Sequence, residues 1–267
     1  MIVEERQKAW VQRLLVNLGI CPFTKSVTTS GQGLRDLGVP SGKIAYHTSD
    51  ATLHQPYLLM ADTWQAIDEM IQAGPDGEDG GVSSILLAAP AFDDELDMWA
   101  GPVFALLETG VLAAQASSQV GVVCFHPRYA TPDGTTWPGF GHMHSVPRLE
   151  AWVADDQYAG KDEQGNIIRK KKIKLKKTGA ELETGSTTTT SLSTEDVAAG
   201  GAWQRRTPHA TINVLRADQL EMAESRRDTP LLYRRNIRKL MEIGNHKLLS
   251  DLEKERDMRR NRNEPTP

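Results

Sequence analysis

Three short apolar runs alternate with segments of helical periodicity, and this alternation constrains the fold more than any other feature. The runs are KIAYHTS, VSSILLAAP and VGVVCFHP, and a fourth candidate strand covers 209–215. The segments between them repeat apolar residues at the spacing of amphipathic helices. Strands that alternate with helices favour parallel pairing. The sequence therefore predicts an α/β domain with a small, mostly parallel sheet flanked by helices.

Stop signals delimit the predicted helices. Gly19 and Pro22 follow the first helix, and Gly74-Pro75 follows the second. Gly101-Pro102 should break or kink the third helix, and PLLYRRNIRKLMEIG forms the last. In the second helix we expect one face to pack on the sheet, formed by Tyr57, Met60, Ala61, Trp64, Ile67 and Ile71.

The composition changes after Val153. Residues 154–202 hold the basic run RKKKIKLKK and the polar run GSTTTTSLST, with few large apolar side chains. We therefore expect a disordered insertion there. Residues 1–153 and 203–247 then form one domain, and 248–267 form a polar C-terminal tail. The basic run is typical of a solvated loop, and the alternative is an import signal or a contact with an anionic surface.

The bulk composition excludes several classes of protein. A net charge of −4 with both signs interspersed gives no sign of nucleic-acid binding. No apolar run reaches the roughly 20 residues of a membrane span. Two cysteines are too few for a secreted disulfide scaffold and favour a reducing compartment. We expect a cytoplasmic protein, or a plastid protein if a transit peptide has been removed, with neither nucleic acid nor membrane as a partner.

The end of the third predicted strand is the first candidate site. The carboxyl ends of parallel strands share one edge, where α/β folds bind ligands. His126 at that edge is a candidate catalytic base or metal ligand, with Arg128 and Tyr129 beside it as substrate-binding residues. Strand alternation places Cys124 and His126 on one face of the sheet. The alternative is that His126 is structural, and Cys124 is expected to be a core residue.

Cys21 is the second candidate, as a nucleophile or metal ligand. It follows the C-terminus of the first helix, whose partial negative charge disfavours a thiolate. A nearby cation would have to offset that charge. Pro22 restricts Cys21 to extended geometry and would hold the thiol in place. A buried structural role for Cys21 is the alternative.

Arginines near the fourth strand suit a small anionic ligand. Arg206 and Arg216, with Arg128, present guanidinium groups that fit a carboxylate or phosphate. Solvated surface arginines are the alternative. A metal site from Cys21, His126, His209 and the pair His142-x-His144 is conceivable, but no pair has zinc-finger spacing. The sequence names no cofactor.

Four ordered pieces carry a resemblance to a known family. They are GICPFTK, CFHPRY, RRTPHATINVLR and LYRRNIRKLMEIG. Together they resemble the family catalogued as a domain of unknown function, DUF1415, over about 5–150 and 203–245. The resemblance supplies no activity, but it implies that Cys21, His126, Tyr129, Arg206, Pro208, Arg216 and Asn236 are among the recurring positions. Asn213 stands near a histidine of the family pattern, and His209 is the histidine of this chain that could replace it. Both are therefore candidate substrate-binding residues.

These observations lead to two hypotheses. The first is an enzyme with a Cys21/His126 site that acts on a small anionic substrate, with Arg206 and Arg216 as anchors. The second is a non-catalytic protein that binds a metal, haem or another ligand. For either hypothesis we expect Cys21, His126 and the segment 206–213 to converge on one cleft.

Overall fold

The computed structural model describes residues 2–33, 39–74, 81–134, 144–154, 158–161, 167–169, 192–225 and 229–258. Its helices are α1 (Ile2–Trp10), α2 (Pro56–Ala73), α3 (Leu96–Met98), α4 (Phe104–Ala113), α5 (Val146–Ala154), α6 (Thr194–Trp203), α7 (Ala217–Ser225), α8 (Thr229–Ile243) and α9 (Asn245–Arg256). Two π-helical segments, Val11–Asn17 and Trp99–Val103, continue α1 and join α3 to α4. Pro102 lies inside the second segment, so the predicted break is a local widening of the helix.

Five strands form the main sheet, in the order β1-β2-β3-β7-β4. They are β1 (Thr29–Ser30), β2 (Gly42–Thr48), β3 (Val82–Ala88), β4 (Val120–Phe125) and β7 (Thr211–Arg216). The short strands β5 (Tyr158–Lys161) and β6 (Ile167–Arg169) pair separately. All four strands predicted from the sequence are therefore present, within a few residues of the expected bounds.

The sheet is mixed, which corrects the expectation of mostly parallel strands. Only β2 and β3 pair in parallel, whereas β1/β2, β3/β7 and β4/β7 are antiparallel. The strands β2, β3 and β4 do run in one direction. The reason for the error is the last strand, β7, which enters between β3 and β4 in the opposite direction.

Helices cover both faces of the sheet and divide the core in two. One cluster joins α2 and α4 to the face that carries Ile85, Leu87 and Ile212. The other joins α1, its π-helical extension and α9 to the face that carries Leu86 and Phe125. This α/β/α arrangement agrees with the predicted flanking helices.

The buried face of α2 differs from the predicted one. The buried residues are Leu59, Thr63, Ala66, Ile67 and Met70, while Tyr57 and Ile71 are exposed. The predicted face is therefore rotated relative to the one that packs on the sheet.

The expected disordered insertion, 154–202, contains structure at its C-terminal end. Helix α6 begins at a capping box formed by Ser193 and Asp196. Small residues let it pack closely, since a Cβ on Gly200 would lie 2.8 Å from Ile237. An Ala/Gly-rich helix of this kind adds few large apolar residues, which is why composition hid it. Much of the remaining insertion lies outside the described residues.

The expected polar tail, 248–267, begins with a packed helix. In α9 the apolar residues Leu248 and Leu252 are buried one turn apart. Glu255 is also buried and accepts two hydrogen bonds from Arg13, at 2.5 and 2.9 Å. The high charge of α9 led to the prediction of a polar tail. Its one apolar stripe is nevertheless enough to pack the helix on α1.

One helical stretch of the described residues, Leu96–Ala113, is long and apolar enough to cross a membrane by length and composition. Trp99, Phe104 and Leu107 of this stretch are buried, whereas Leu106 and Leu112 are exposed. Core helices of globular proteins share this composition.

Candidate functional site

The predicted edge of the sheet exists and gathers four strand ends. Thr48 pairs with Ala88, and both Ala88 and Phe125 pair with Thr211. The carboxyl ends of β2, β3 and β4 therefore meet the amino end of β7. The loops that leave this edge carry Asp93, His126, Arg206 and His209.

His126 is fully buried at this edge, and both of its ring nitrogens are occupied. Nε2 lies 2.9 Å from the carbonyl oxygen of Phe92, and the backbone N–H of Arg128 donates to Nδ1 at 3.0 Å. Because a carbonyl only accepts, Nε2 carries the proton and the ring is neutral. Burial lowers the pKa of His126, with a smaller opposing contribution from the bond to Phe92. This geometry is that of a structural histidine that fixes two loops.

The two neighbours of His126 point in different directions. Arg128 is exposed and pairs with Asp94, with Nη2 and Oδ1 2.7 Å apart. Tyr129 is buried, and burial raises the pKa of its phenol. The structure therefore does not bring these side chains together as a binding surface with the His126 ring.

A second histidine at the edge has a different environment. His209 Nδ1 lies 2.8 Å from Asp93 Oδ2, and the other carboxylate oxygen accepts the backbone N–H of Ala210 at 2.8 Å. The carboxylate thus holds the imidazole with its Nδ1 protonated. Both side chains are largely buried. The remaining nitrogen, Nε2, faces Arg6 Nη1 at 3.3 Å.

Helix α1 and helix α9 bring two guanidinium groups to this pair. Arg6 donates to Nε2 of His209 and to the carbonyl oxygen of Met258. Arg256 Nη2 lies 3.6 Å from Asp93 Oδ2, and its side chain is 36% exposed. The next residue of α1, Gln7, donates to Thr211 Oγ1 at 3.4 Å and ties the helix to β7.

Cys21 lies at the far end of the first helix, where helix α8 caps the chain. Lys239 donates to the carbonyl oxygen of Leu18, Arg235 to that of Gly19, and Asn236 to that of Ile20, all within 2.9 Å. Two cations therefore offset the negative helix end that disfavours a thiolate.

The Cys21 side chain is half-buried. Thr24 Oγ1 donates a 3.5 Å hydrogen bond to its Sγ. The loop that carries it is thus held by helix α8 on one side and by a hydroxyl on the other.

No hydrogen bond of the described residues joins Cys21 to His126 or His209. His126 packs with Phe92 and Trp99 on one face of the sheet, whereas Ile20 belongs to the core cluster of the other face. His209 contacts Arg6, and about 15 Å of helix separates Arg6 from the π-helical end that precedes Cys21. The loop of Cys21 and the loop before β7 do meet at helix α8, where Asn236 donates to the Ile20 carbonyl oxygen and to Gln204 Oε1.

The partly buried side chain of Arg206 contacts one backbone carbonyl and one aromatic ring. Its Nε donates to the carbonyl oxygen of Tyr129 at 3.0 Å, and its guanidinium carbon lies 4.6 Å from the ring centre of Trp203. Burial lowers the pKa of Arg206. Its backbone carbonyl accepts the indole N–H of Trp10, which anchors the loop to α1.

The other two candidates of the last strand lie away from this edge. Asn213 is in the middle of β7 and accepts a hydrogen bond from Ser84 at 2.7 Å. Arg216 ends β7, about 17 Å from Thr211 along the strand, and is paired with Asp218. Arg206 and Arg216 therefore cannot contact one small ligand together.

Two surface recesses of the described residues lie at the opposite end of the sheet. One of about 230 Å³ is lined partly by Ile71, Gln119 and Arg216, and one of about 530 Å³ by residues of α4, β4 and α7. Neither contains a histidine or cysteine. The recesses are therefore separate from the sheet edge that carries His126 and His209. We place the candidate site at that edge because the side chains there can transfer protons or bind anions.

The metal hypothesis finds no cluster in the part of the chain that the structure describes. No group of three or more His, Cys, Asp and Glu side chains has metal-binding geometry there. His142 lies outside the described residues. The ring of His144 packs edge-on against Trp152 and Tyr233, with ring centres 4.7 and 4.6 Å away.

Sequence reasoning missed three members of the Asp93–His209 cluster. Asp93 comes three residues after the predicted strand VSSILLAAP, and an acid so close to a strand end is a signal of a site in the sequence. Arg6 and Arg256 lie on helices at the two ends of the chain. No local pattern connects them, because only the tertiary fold brings α1 and α9 together.

The family model of the protein of unknown function DUF1415 matches residues 2–137, slightly more than half of the chain. The chain belongs to the DUF1415 family. The matched range includes Cys21, Asp93 and His126, whereas β7 and α8 of this DUF1415 protein lie beyond it. Comparisons with curated proteins and with solved structures give no significant match.

Proposed function

We propose that this DUF1415 protein is an enzyme that performs acid–base chemistry on a small anionic substrate at His209. The observation that carries the proposal is the orientation of one imidazole. Asp93 accepts the Nδ1 proton of His209, so the lone pair of Nε2 points toward the guanidinium group of Arg6. His126 at the same edge has no such nitrogen, since backbone groups occupy both.

The carboxylate gives His209 the properties of a general base. Asp93 fixes the tautomer and stabilises the imidazolium that forms when Nε2 takes a proton. The Ala210 N–H holds the carboxylate itself in place. When the substrate is deprotonated, the proton moves from the substrate to Nε2, and its return completes an exchange or isomerisation.

Arg6 and Arg256 are the reason for proposing an anionic substrate. Both guanidinium groups reach the Asp93–His209 pair, and neither side chain is fully buried. A carboxylate or phosphate bound by Arg6 would draw that guanidinium away from Nε2 and place the reacting atom near the nitrogen. Guanidinium forks suit both anions.

Cys21 has no part in this proposed reaction because no hydrogen bond of the described residues connects it to the Asp93–His209 pair. The alternative of a metal- or haem-binding protein has no comparable arrangement among the described residues. The acid–base proposal is therefore the one that the geometry favours.

The test begins with a ligand. Thermal melting of the wild-type protein against a panel of small carboxylates and phosphates should reveal one that raises the melting temperature, because ligands stabilise the state that binds them. Exchange of its acidic hydrogens is then followed by NMR in deuterated water. We expect H209Q to bind this ligand but lose exchange by about 100-fold or more, and R6K to bind it more weakly.

The control is R128K, which changes an exposed arginine of the same edge. It should bind and exchange like the wild type. Exchange by H209Q at the wild-type rate, or a panel in which no anion raises the melting temperature, would contradict the proposal. Urea unfolding of each variant separates loss of function from loss of fold.

A further inference from the structure

Arg206 is a cation that meets no carboxylate among the described residues. Its guanidinium receives one hydrogen-bond acceptor, the carbonyl oxygen of Tyr129, and one aromatic face, Trp203. None of the described residues places a carboxylate within ion-pair distance of it. Arg13 and Arg216, by contrast, each meet a carboxylate.

The burial of Arg206 makes the lack of a nearby carboxylate unusual. The side chain is partly buried, and burial is the cause that lowers its pKa. Taking a charge out of water costs free energy that a counter-charge normally offsets. The hydrogen bond to Tyr129 uses Nε, so the terminal nitrogens Nη1 and Nη2 remain for a ligand. Their parallel N–H groups match the spacing of two oxygens of one anion.

The surroundings of Arg206 are rigid. Trp203 is 4% exposed, and its indole N–H donates to Asn245 at 2.7 Å. Tyr129 is 4% exposed, and the backbone carbonyl of Arg206 is fixed by Trp10. The guanidinium plane is therefore held before any ligand arrives, which reduces the entropy cost of binding.

We infer that Arg206, held by Trp203 and Tyr129, is a second anion-binding site that takes a carboxylate or a phosphate group. The Trp203 ring covers one face of the guanidinium, so the anion binds along the edge that carries Nη1 and Nη2. The site uses none of the residues proposed for acid–base chemistry, and its occupancy does not depend on His209.

The probes are inorganic phosphate and acetate, titrated at constant ionic strength with potassium chloride as compensation. Binding is measured by isothermal titration calorimetry and by the rise in melting temperature. We expect saturable binding that R206K weakens by about tenfold, because an ammonium keeps the charge but not the fork. R206M should remove this binding phase, whereas any anion bound by Arg6 should give a separate phase that R206M retains. The control R128K should bind like the wild type.

Two further variants separate this site from the proposed active site. H209Q and R6K should leave the Arg206 affinity unchanged, even if the acid–base proposal fails. The inference is overturned if R206K and R206M bind either anion as tightly as the wild type. It is equally overturned if phosphate and acetate stabilise no more than chloride, or if H209Q alone removes the binding.

Discussion

The two histidines of the sheet edge differ in what their ring nitrogens meet. His126 bonds to two backbone groups, whereas His209 bonds to a carboxylate and faces a guanidinium. The sequence predicted that an edge with His126 would exist, and the edge is there. It could not assign the roles, because the partners Phe92, Asp93 and Arg6 come from other parts of the chain.

Replacing His126 with alanine tests its structural role. H126A leaves the Phe92 carbonyl and the Arg128 N–H buried without their partner, so we expect a loss of about 2–4 kcal/mol in the free energy of unfolding. Urea denaturation measures it. The control is H54A, which changes an exposed histidine and should have little effect. Equal stabilities for H126A and wild type would contradict the role.

The buried His126 also predicts a dependence of stability on pH. Burial lowers its pKa in the folded state, so below about pH 6.5 the unfolded chain binds the proton more readily. The stabilisation that neutral His126 gives the folded state is therefore complete above that pH, and it is lost as the pH falls toward the folded-state pKa. Urea denaturation from pH 8 to pH 5.5 should show this decline, and H126A should show a shallower one. Parallel pH profiles for the two proteins would exclude this assignment.

At the scale of elements, the end of the first helix is built by helix α8. Three α8 side chains donate to three consecutive carbonyl oxygens just before Cys21. The sequence predicted where the helix ends, since Gly19 adopts φ 59° there. It could not predict the cap, because the donors follow more than 200 residues later.

Asn236 is the buried member of this cap and can be tested directly. It donates to the Ile20 carbonyl and to Gln204 Oε1, at 2.9 and 3.0 Å. N236L removes both bonds, so we expect a loss of about 1–3 kcal/mol in the free energy of unfolding. The loosened loop should also let iodoacetamide alkylate Cys21 faster. The control E242Q changes an exposed residue of α8, and a Cys21 rate equal in N236L and E242Q would refute the cap.

At the scale of the whole molecule, the last strand decides the architecture. Periodicity was enough to predict the four long strands of the main sheet and most helices, because apolar spacing is a local property. Strand order and direction are not local properties. The expectation of a mostly parallel sheet failed because β7 lies antiparallel between β3 and β4. The family match ends at residue 137, yet β7 and its loop supply His209 and Arg206, so the candidate site needs the part of the chain beyond that match.

Cleavage of the chain tests whether it is one domain. Strand β7 pairs with both β3 and β4, and α9 packs on α1, so a cut between residues 178 and 190 should leave two fragments bound to each other. A specific protease site inserted there, followed by gel filtration, measures this. We expect co-elution and one cooperative melting transition. Residues 1–154 expressed alone should not melt cooperatively, since β3 and β4 would both lack the strand between them. Two fragments that separate and melt independently would show two domains.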